Sequence, residues 1–266
     1  MLTLPNKYPS FSPSPGPPDV KCDDLYRCRM ARGVCEIILY TPQHEATLAD
    51  LDVAHIKELV DVWAERYREL GSRDYVNYVF IFENKGREIG VTLDHPHGQI
   101  YAFPFIPPRI QRELASSKSY MRKNRECLFC RIISKEKSEG TRVVCENENF
   151  ICFLPFFARW PYGVHLYPKR HVQSLQDLSE NERFAFANIL REILNKFDNL
   201  FGFSFPYMMV FHQEPTDGRD HSYYHFHVEF YPPYREKDKL KFFASVESGA
   251  GTITYDYSPE DKAKEL

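Results

Sequence analysis

Two stretches of this chain are near copies of one another, and that repeat limits the possible folds more than any other feature. From His44 the sequence reads His-Glu-Ala-Thr-Leu-Ala-Asp-Leu, and from His171 it reads His-Val-Gln-Ser-Leu-Gln-Asp-Leu. Each histidine follows an apolar run closed by proline: CEIILYTPQ from Cys35 to Gln43, and VHLYPKR from Val164 to Arg170. Their Val, Ile and Leu content predicts strands. Each copy then enters a helix. Ile56, Leu59, Val60, Trp63 and Tyr67 recur at three- and four-residue steps toward Gly71, and Phe186, Ile189, Leu190, Ile193, Leu194 and Phe197 do so toward Gly202.

An aromatic, β-branched run follows each helix, YVNYVFIFEN in one copy and FPYMMVFHQE in the other, and each run leads to a histidine alternation. His95-Pro96-His97-Gly98-Gln99 stands against His225-Phe226-His227-Val228-Glu229. The spacing agrees, with 51 residues from His44 to His95 and 54 from His171 to His225. The expectation is an α+β fold of two tandem units, Cys28 to Phe105 and Cys127 to Pro233, with helices packed on antiparallel sheets. It divides the chain into an N-terminal half, residues 1–115, and a C-terminal half, residues 116–266. Residues 1–20 hold six prolines and predict irregular chain. Residues 107–126 predict a charged helical linker, and residues 256–266 an exposed short helix.

A net charge of −3 supplies no basic field for nucleic acid. No apolar run reaches membrane length, and the first residues lack a charged-then-apolar leader pattern. A cytoplasmic enzyme is expected, holding a small anionic substrate by a few local donors. Seven cysteines, an odd number, make a poor disulfide framework. The close pair Cys127 and Cys130 therefore reads as metal ligands.

Alternate residues of a strand share a face, so His95, His97 and Gln99 are expected together, as are His225, His227 and Glu229. One histidine of this set would ordinarily be a core residue bonded to a carbonyl. Two triads at matched places need a chemical reason, because three polar side chains on one face all require partners. Neutral imidazole is a competent nucleophile at phosphorus near pH 7. Gln99 can donate to developing charge on phosphate oxygens but cannot pass a proton to a leaving group. That favours holding a phosphoryl-histidine for a second acceptor over hydrolysis.

Phe82-Glu83-Asn84-Lys85-Gly86 and His95-Pro96-His97-Gly98-Gln99 resemble the signature of the galactose-1-phosphate uridylyltransferase family, a branch of the histidine-triad superfamily. Pro5-Asn6-Lys7-Tyr8-Pro9, the run from Cys28 to Gly33, Ala158-Arg159-Trp160-Pro161, SFPYMMVFHQEP and Phe230-Tyr231-Pro232-Pro233 are similar to it too. The resemblance spans Pro5 to Glu247. It implies that His97 attacks the α-phosphorus of UDP-glucose, with Gln99 as its catalytic companion. Glucose 1-phosphate leaves, and galactose 1-phosphate then takes the uridylyl group. Gln99 and Thr92 match phosphate-contacting positions, Asn6 and Asn84 nucleotide-contacting ones, and Lys241 and Glu247 positions facing the hexose phosphate. The resemblance also implies a homodimer.

Cys127, Cys130, His171 and His225 make a Cys₂His₂ set suited to tetrahedral zinc. By resemblance Glu113, His212, His227 and Glu229 form a second site, for iron or a second zinc. Which site takes His225 and which takes His227 stays open at this point. In the first repeat His44 and His95 would mirror the zinc pair, but the matching Cys-x-x-Cys is absent. Either a longer chain starts upstream of Met1 or that metal has been lost.

The rival function is a related phosphorylase or nucleotidyltransferase acting on ADP-sugars or dinucleoside polyphosphates through the same histidine. Ile253 stands where the family commonly has a Gln near the sugar, and that departure feeds the rival. A nucleotide hydrolase is disfavoured by Gln99 in place of a third histidine, and a non-catalytic zinc module leaves His97 without a purpose.

Overall fold

The computed structural model describes residues 1–266 and is α+β. Nine strands form one antiparallel sheet: β1 (Leu2–Pro5), β2 (Val34–Leu39), β3 (Tyr78–Lys85), β4 (His97–Phe103), β5 (Val143–Glu146), β6 (Phe150–Phe153), β7 (His165–Pro168), β8 (Tyr207–His212) and β9 (His227–Tyr231). Their spatial order is β1-β2-β4-β3-β8-β9-β7-β6-β5. The order β2-β4-β3 thus meets its reverse, β8-β9-β7, and the repeat appears as two units joined edge to edge through β3 and β8. Phe82 lies opposite Val210 and Lys85 opposite Tyr207 across that seam.

Two long helices, α1 (Val53–Gly71) and α4 (Glu180–Phe201), pack against each other on one face of the sheet. Both begin at strong N-caps. Asp52 accepts the amide of His55 at 2.8 Å, and Ser179 forms a capping box with Glu182. Gly202 ends α4 at a φ of 74°, a left-handed conformation that glycine adopts without a Cβ penalty. Ile56, Val60, Trp63, Phe186, Leu190 and Phe197 point inward, as their spacing requires. They belong to a core of 44 buried residues drawn from both halves. Two further helices, α2 (Pro108–Asn124) and α3 (Leu128–Glu139), follow β4. They cover the opposite face of the C-terminal half through a smaller core around Leu114, Phe129, Phe153 and Tyr167.

Near the C-terminus lie a small hairpin, β10 (Tyr234–Glu236) with β11 (Lys239–Leu240), and two short helices, α5 (Ser245–Gly249) and α6 (Pro259–Glu265). Several expectations need correction. Residues 2–5 are not irregular but pair with β2, where Pro5 comes last on an edge strand and so withholds no needed donor. Helix α6 is not simply exposed, because Lys262 and Ala263 are buried and Lys262 bonds the Tyr162 hydroxyl at 2.9 Å. One cysteine pair, Cys22–Cys28, is a disulfide, and the other five cysteines are free. No helix is long and apolar enough to cross a membrane.

Candidate active site and metal centres

Strand β4 begins at His97 and β9 at His227, so the first histidine of each triad precedes the ladder rather than sharing its face. The displacement has a use. The carbonyl of His95 accepts from Nδ1 of His97 at 2.8 Å, and that of His225 from Nδ1 of His227 at 3.0 Å. Each bond puts the imidazole proton on Nδ1 and leaves the Nε2 lone pair free. In the first half that lone pair belongs to a ring lining an open cavity. In the second half it is buried without a hydrogen-bond donor, 3.4 Å from a Glu229 carboxylate oxygen. The same strand position therefore gives a ring with a free nitrogen beside an open cavity in one copy and a candidate metal ligand in the other.

The cavity around His97 holds about 240 Å³ and is lined by His95, Asn84, Lys85, Arg87, Ser204 and the buried Glu83, among others. Glu83 accepts from Tyr40 Oη at 3.0 Å and from Tyr207 Oη at 2.9 Å, tying β2, β3 and β8 together. Burial pushes its carboxyl up to about 7, against the opposing pull of both tyrosines and of Lys85. Tyr40 also backs onto Gly98, where any Cβ would overlap its hydroxyl. That is the reason for glycine beside His97. Lys85 is held by Asp198 at 2.9 Å, and Arg87 by Asp94 at 2.9 Å.

Of the residues expected to contact substrate, His97 and Asn84 line this cavity. Gln99 is two residues further along β4, opposite Phe82 and Ile37. Thr92 lies in the loop before His95 but not among the lining residues, and Asn6 uses its side chain to accept the amide of Tyr8 at 2.9 Å. Lys241 and Glu247 do not line the cavity of their own chain. They pair with each other at 3.0 Å, and Thr254 also bonds Glu247. Glu83 and Lys85 lie within the Phe82–Gly86 motif yet have no role that the motif alone reveals, because a buried acid between two tyrosines has no signal in one dimension. Ser204 and Arg87 carried none either.

Cys127, Cys130, His171 and His225 converge so that one ligand atom from each lies within 4.8 Å of the others. Nδ1 of His171 and Nδ1 of His225 are each 3.4 Å from Cys130 Sγ. Four ligands at zinc bond lengths of 2.0–2.3 Å stand about 3.5 Å apart, so the spacing fits a tetrahedral ion. The outward nitrogens agree: Nε2 of His171 bonds the Ser222 carbonyl and Nε2 of His225 the Pro168 carbonyl, both at 3.0 Å, which orients Nδ1 inward. Cys127 is held well below the ordinary thiol range, first by a hydrogen bond from Cys130 and then by the two histidines.

Glu113, His212, His227 and Glu229 form the second convergent set. Nδ1 of His212 bonds Glu113 at 3.0 Å. Burial pulls His212 down, but Glu113 and Glu229 outweigh it and the net shift is upward. An orphaned Nε2 on His227 amid carboxylates fits a cation with mixed nitrogen and oxygen ligands. In the structure His225 falls with the two cysteines and His227 with Glu113 and His212. In the first half, Nδ1 of His44 and Nδ1 of His95 approach to 3.2 Å while Nε2 of His95 bonds the Thr41 carbonyl at 2.8 Å. No third metal-binding side chain completes that pair.

Residues 2–107 match the family model described as galactose-1-phosphate uridyl transferase, N-terminal domain, and residues 113–247 match its C-terminal domain. The chain belongs to the galactose-1-phosphate uridylyltransferase family. Relatives named galactose-1-phosphate uridylyltransferase include one from Thermotoga maritima, 44% identical across 100% of this chain and 83% of its own. Another, from Rattus norvegicus, is 35% identical across 98% of this chain and 69% of its own. A solved structure described as that of uridylyltransferase superposes with a TM-score of 0.93 at 41% identity, covering 99% of this chain and 84% of that one. Members of the family are nucleotidyltransferases. An ADP-glucose phosphorylase from Arabidopsis thaliana shares the fold, with a TM-score of 0.85 at 23% identity, covering 99% of this chain and 80% of that one.

Proposed function

We propose that this chain transfers a uridylyl group from UDP-glucose to galactose 1-phosphate by way of His97. The observation that carries the reading is the His97 imidazole itself. Its Nδ1 proton is committed to the His95 carbonyl, and its Nε2 faces a cavity of polar lining. Nε2 attacks the α-phosphorus, a P–N bond forms, and the bond to the β-phosphate oxygen breaks. Glucose 1-phosphate leaves with that electron pair, and as a phosphate it needs no proton to depart. The imidazole that carries the uridylyl group gains positive charge, which the His95 carbonyl stabilises through the Nδ1–H. A phosphate oxygen of galactose 1-phosphate then displaces His97, giving UDP-galactose and the free imidazole.

Asn84 and Lys85 approach the nucleotide from β3, with Gln99 and Thr92 on its phosphates and Asn6 toward the nucleoside. Lys241 and Glu247 serve the hexose phosphate, and because they lie off the cavity of their own chain, a second copy in a homodimer would present them. The nucleophile belongs to the half formed by residues 1–115, and both convergent metal sets are completed by residues 116–266. Zinc fits Cys127, Cys130, His171 and His225 and would fix α3 to the β7 and β9 ends. Iron or a second zinc fits Glu113, His212, His227 and Glu229. The enzyme works in the cytoplasm, where Cys127 and Cys130 would stay reduced as metal ligands. Incubation with UDP-glucose labelled in the uridylyl group tests the reading: acid-labile label must appear on the protein with release of one glucose 1-phosphate, and label from ADP-glucose in its place would favour the rival phosphorylase.

A further inference from the structure

A second cavity, of about 440 Å³, lies away from His97 in the C-terminal half. Its floor is β7 and β9 at His165, Tyr167, Glu229 and Tyr231, and its walls are α2, α3 and the loop before β7. His165 pairs with Glu229 across β7 and β9, the place in the second copy that Ile37 and Gln99 hold beside the nucleophile in the first. The internal repeat thus puts this hollow over the counterpart of the nucleotide-side strands. The volume falls in the range of small-ligand sites.

Its chemistry is uneven in an informative way. Arg109 is engaged, donating to the Tyr231 hydroxyl at 2.9 Å and lying 5.0 Å over that ring. Arg112, one helical turn on, and Arg159, from the facing loop, also line the cavity; both are exposed and neither forms a salt bridge within the chain. Ser117 Oγ lines the same space, is fully buried and has no hydrogen-bond partner. Trp160 stands at the mouth, stacked on Phe243 at 4.5 Å. The floor carboxylates Glu113 and Glu229 are those of the second metal set; Glu113 is bonded by His212 at 3.0 Å and Glu229 accepts from the Tyr231 hydroxyl.

We propose that this cavity is a second binding site, for a nucleoside monophosphate, with phosphate between Arg112 and Arg159 and the base against the aromatic walls near Trp160. Two guanidinium groups on the lining of one cavity suit a phosphate dianion, and stacking on aromatic rings accepts any base. The site therefore takes UMP and AMP alike, unlike a transfer site that must select uridine. Occupancy does not depend on His97 chemistry.

Tryptophan fluorescence tests it, because Trp63 is buried in the core and leaves Trp160 as the responsive reporter. The full chain is titrated with UMP and with AMP, and bound nucleotide is counted by equilibrium dialysis. The expected result is saturable quenching by both and two UMP bound per chain. The double variant Arg112→Ala, Arg159→Ala should weaken the quench-reporting site about tenfold or more. It should still form uridylyl-His97 from UDP-glucose at the wild-type rate, and Ser117→Ala should weaken the same site without touching that rate. A single bound UMP per chain, or a quench unchanged in the double variant, overturns the proposal. Both results leave the His97 reading standing, since label transfer is read separately.

Discussion

Tyr40 donates its hydroxyl to the buried Glu83 carboxyl at 3.0 Å from directly beside Gly98, so the residue next to His97 rests on a buried acid. Because burial raises the folded-state value of Glu83 from 4.5 to about 7, its protonated form is the one the fold prefers. The contribution of that proton is full below the unfolded value near 4.5 and is lost as pH rises through about 7. The shift corresponds to about 3 kcal/mol. Glu83→Gln cannot ionise, so the stability of wild type relative to the variant should fall by roughly that amount between pH 4.5 and pH 8. Chemical denaturation at several pH values measures it. A difference that does not vary with pH would show that Glu83 keeps an ordinary acid strength.

Gly98→Ala drives a methyl group into the Tyr40 hydroxyl and must displace either the ring or β4. We expect a loss of about 1–3 kcal/mol, as for overpacking elsewhere, and a fall in kcat larger than the change in KM. The double variant Gly98→Ala, Tyr40→Phe removes the clashing oxygen and should regain part of both. If the second substitution restores nothing, the contact between Tyr40 and Gly98 does not set the position of His97.

His97→Ala should abolish uridylyl transfer and leave the far-ultraviolet circular dichroism and melting temperature close to wild type. The side chain is only partly buried and supports no core contact, so its loss leaves no cavity of consequence. Exchange of labelled glucose 1-phosphate into UDP-glucose reads the first half-reaction alone. Wild-type exchange by a folded His97→Ala protein would rule out the covalent intermediate.

The repeat, both long helices and the strands that carry His97 and His227 were legible because periodicity and spacing are local properties. The grouping of Cys127, Cys130, His171 and His225 could be read from the residues, whereas Glu113, His212, His227 and Glu229 came together only through the family resemblance. The places of His225 and His227 were open until the fold brought the side chains together. What lay beyond one dimension was how the copies meet. Tyr207 and Lys85 face each other across β3 and β8 only because two edges fuse, and Glu83 acquires its second tyrosine from that fusion. The extended face expected for His95, His97 and Gln99 failed at its first member for a related reason. His95 turns to His44 and to the Thr41 carbonyl, partners distant in sequence that outweigh strand alternation. The edge strand near Met1 was hidden by its prolines, although Pro5 is the last residue of a strand that pairs on one side only.

Cys130→Ser should cost bound metal and melting temperature together. The four ligand atoms lie within 4.8 Å of one another, and without an ion a buried and a half-buried thiol face each other beside two imidazoles. Loss of a structural metal removes folding free energy directly. Elemental analysis of the purified protein should find zinc in the wild type and less in the variant, and a chelator should lower the wild-type melting temperature toward that of Cys130→Ser. Metal content and melting temperature unchanged by the substitution would remove the cluster from the list of metal sites.

Lys241, proposed to hold the acceptor phosphate, has a nearly buried ammonium paired with Glu247 at 3.0 Å and bonded to the Thr254 carbonyl at 2.8 Å. The pairing keeps Glu247 strongly acidic, with Thr254 the largest contributor and Lys241 the next. A lysine so held is an oriented point charge for a phosphate dianion. Since neither residue lines the His97 cavity of its own chain, removing Lys241 should leave uridylyl-His97 formation from UDP-glucose intact. Lys241→Ala should raise the KM for galactose 1-phosphate by about tenfold or more, the worth of one charge-assisted contact. Mixing it with an inactive His97→Ala chain should restore normal acceptor use to a fraction of the sites if subunits of a homodimer share them. Rapid-mixing measurement of each half-reaction separates these effects, and light scattering reports whether the dimer forms. Equal loss in both half-reactions would mean that Lys241 serves the fold of the 239–254 segment, and the assignment of the acceptor phosphate to it would fall.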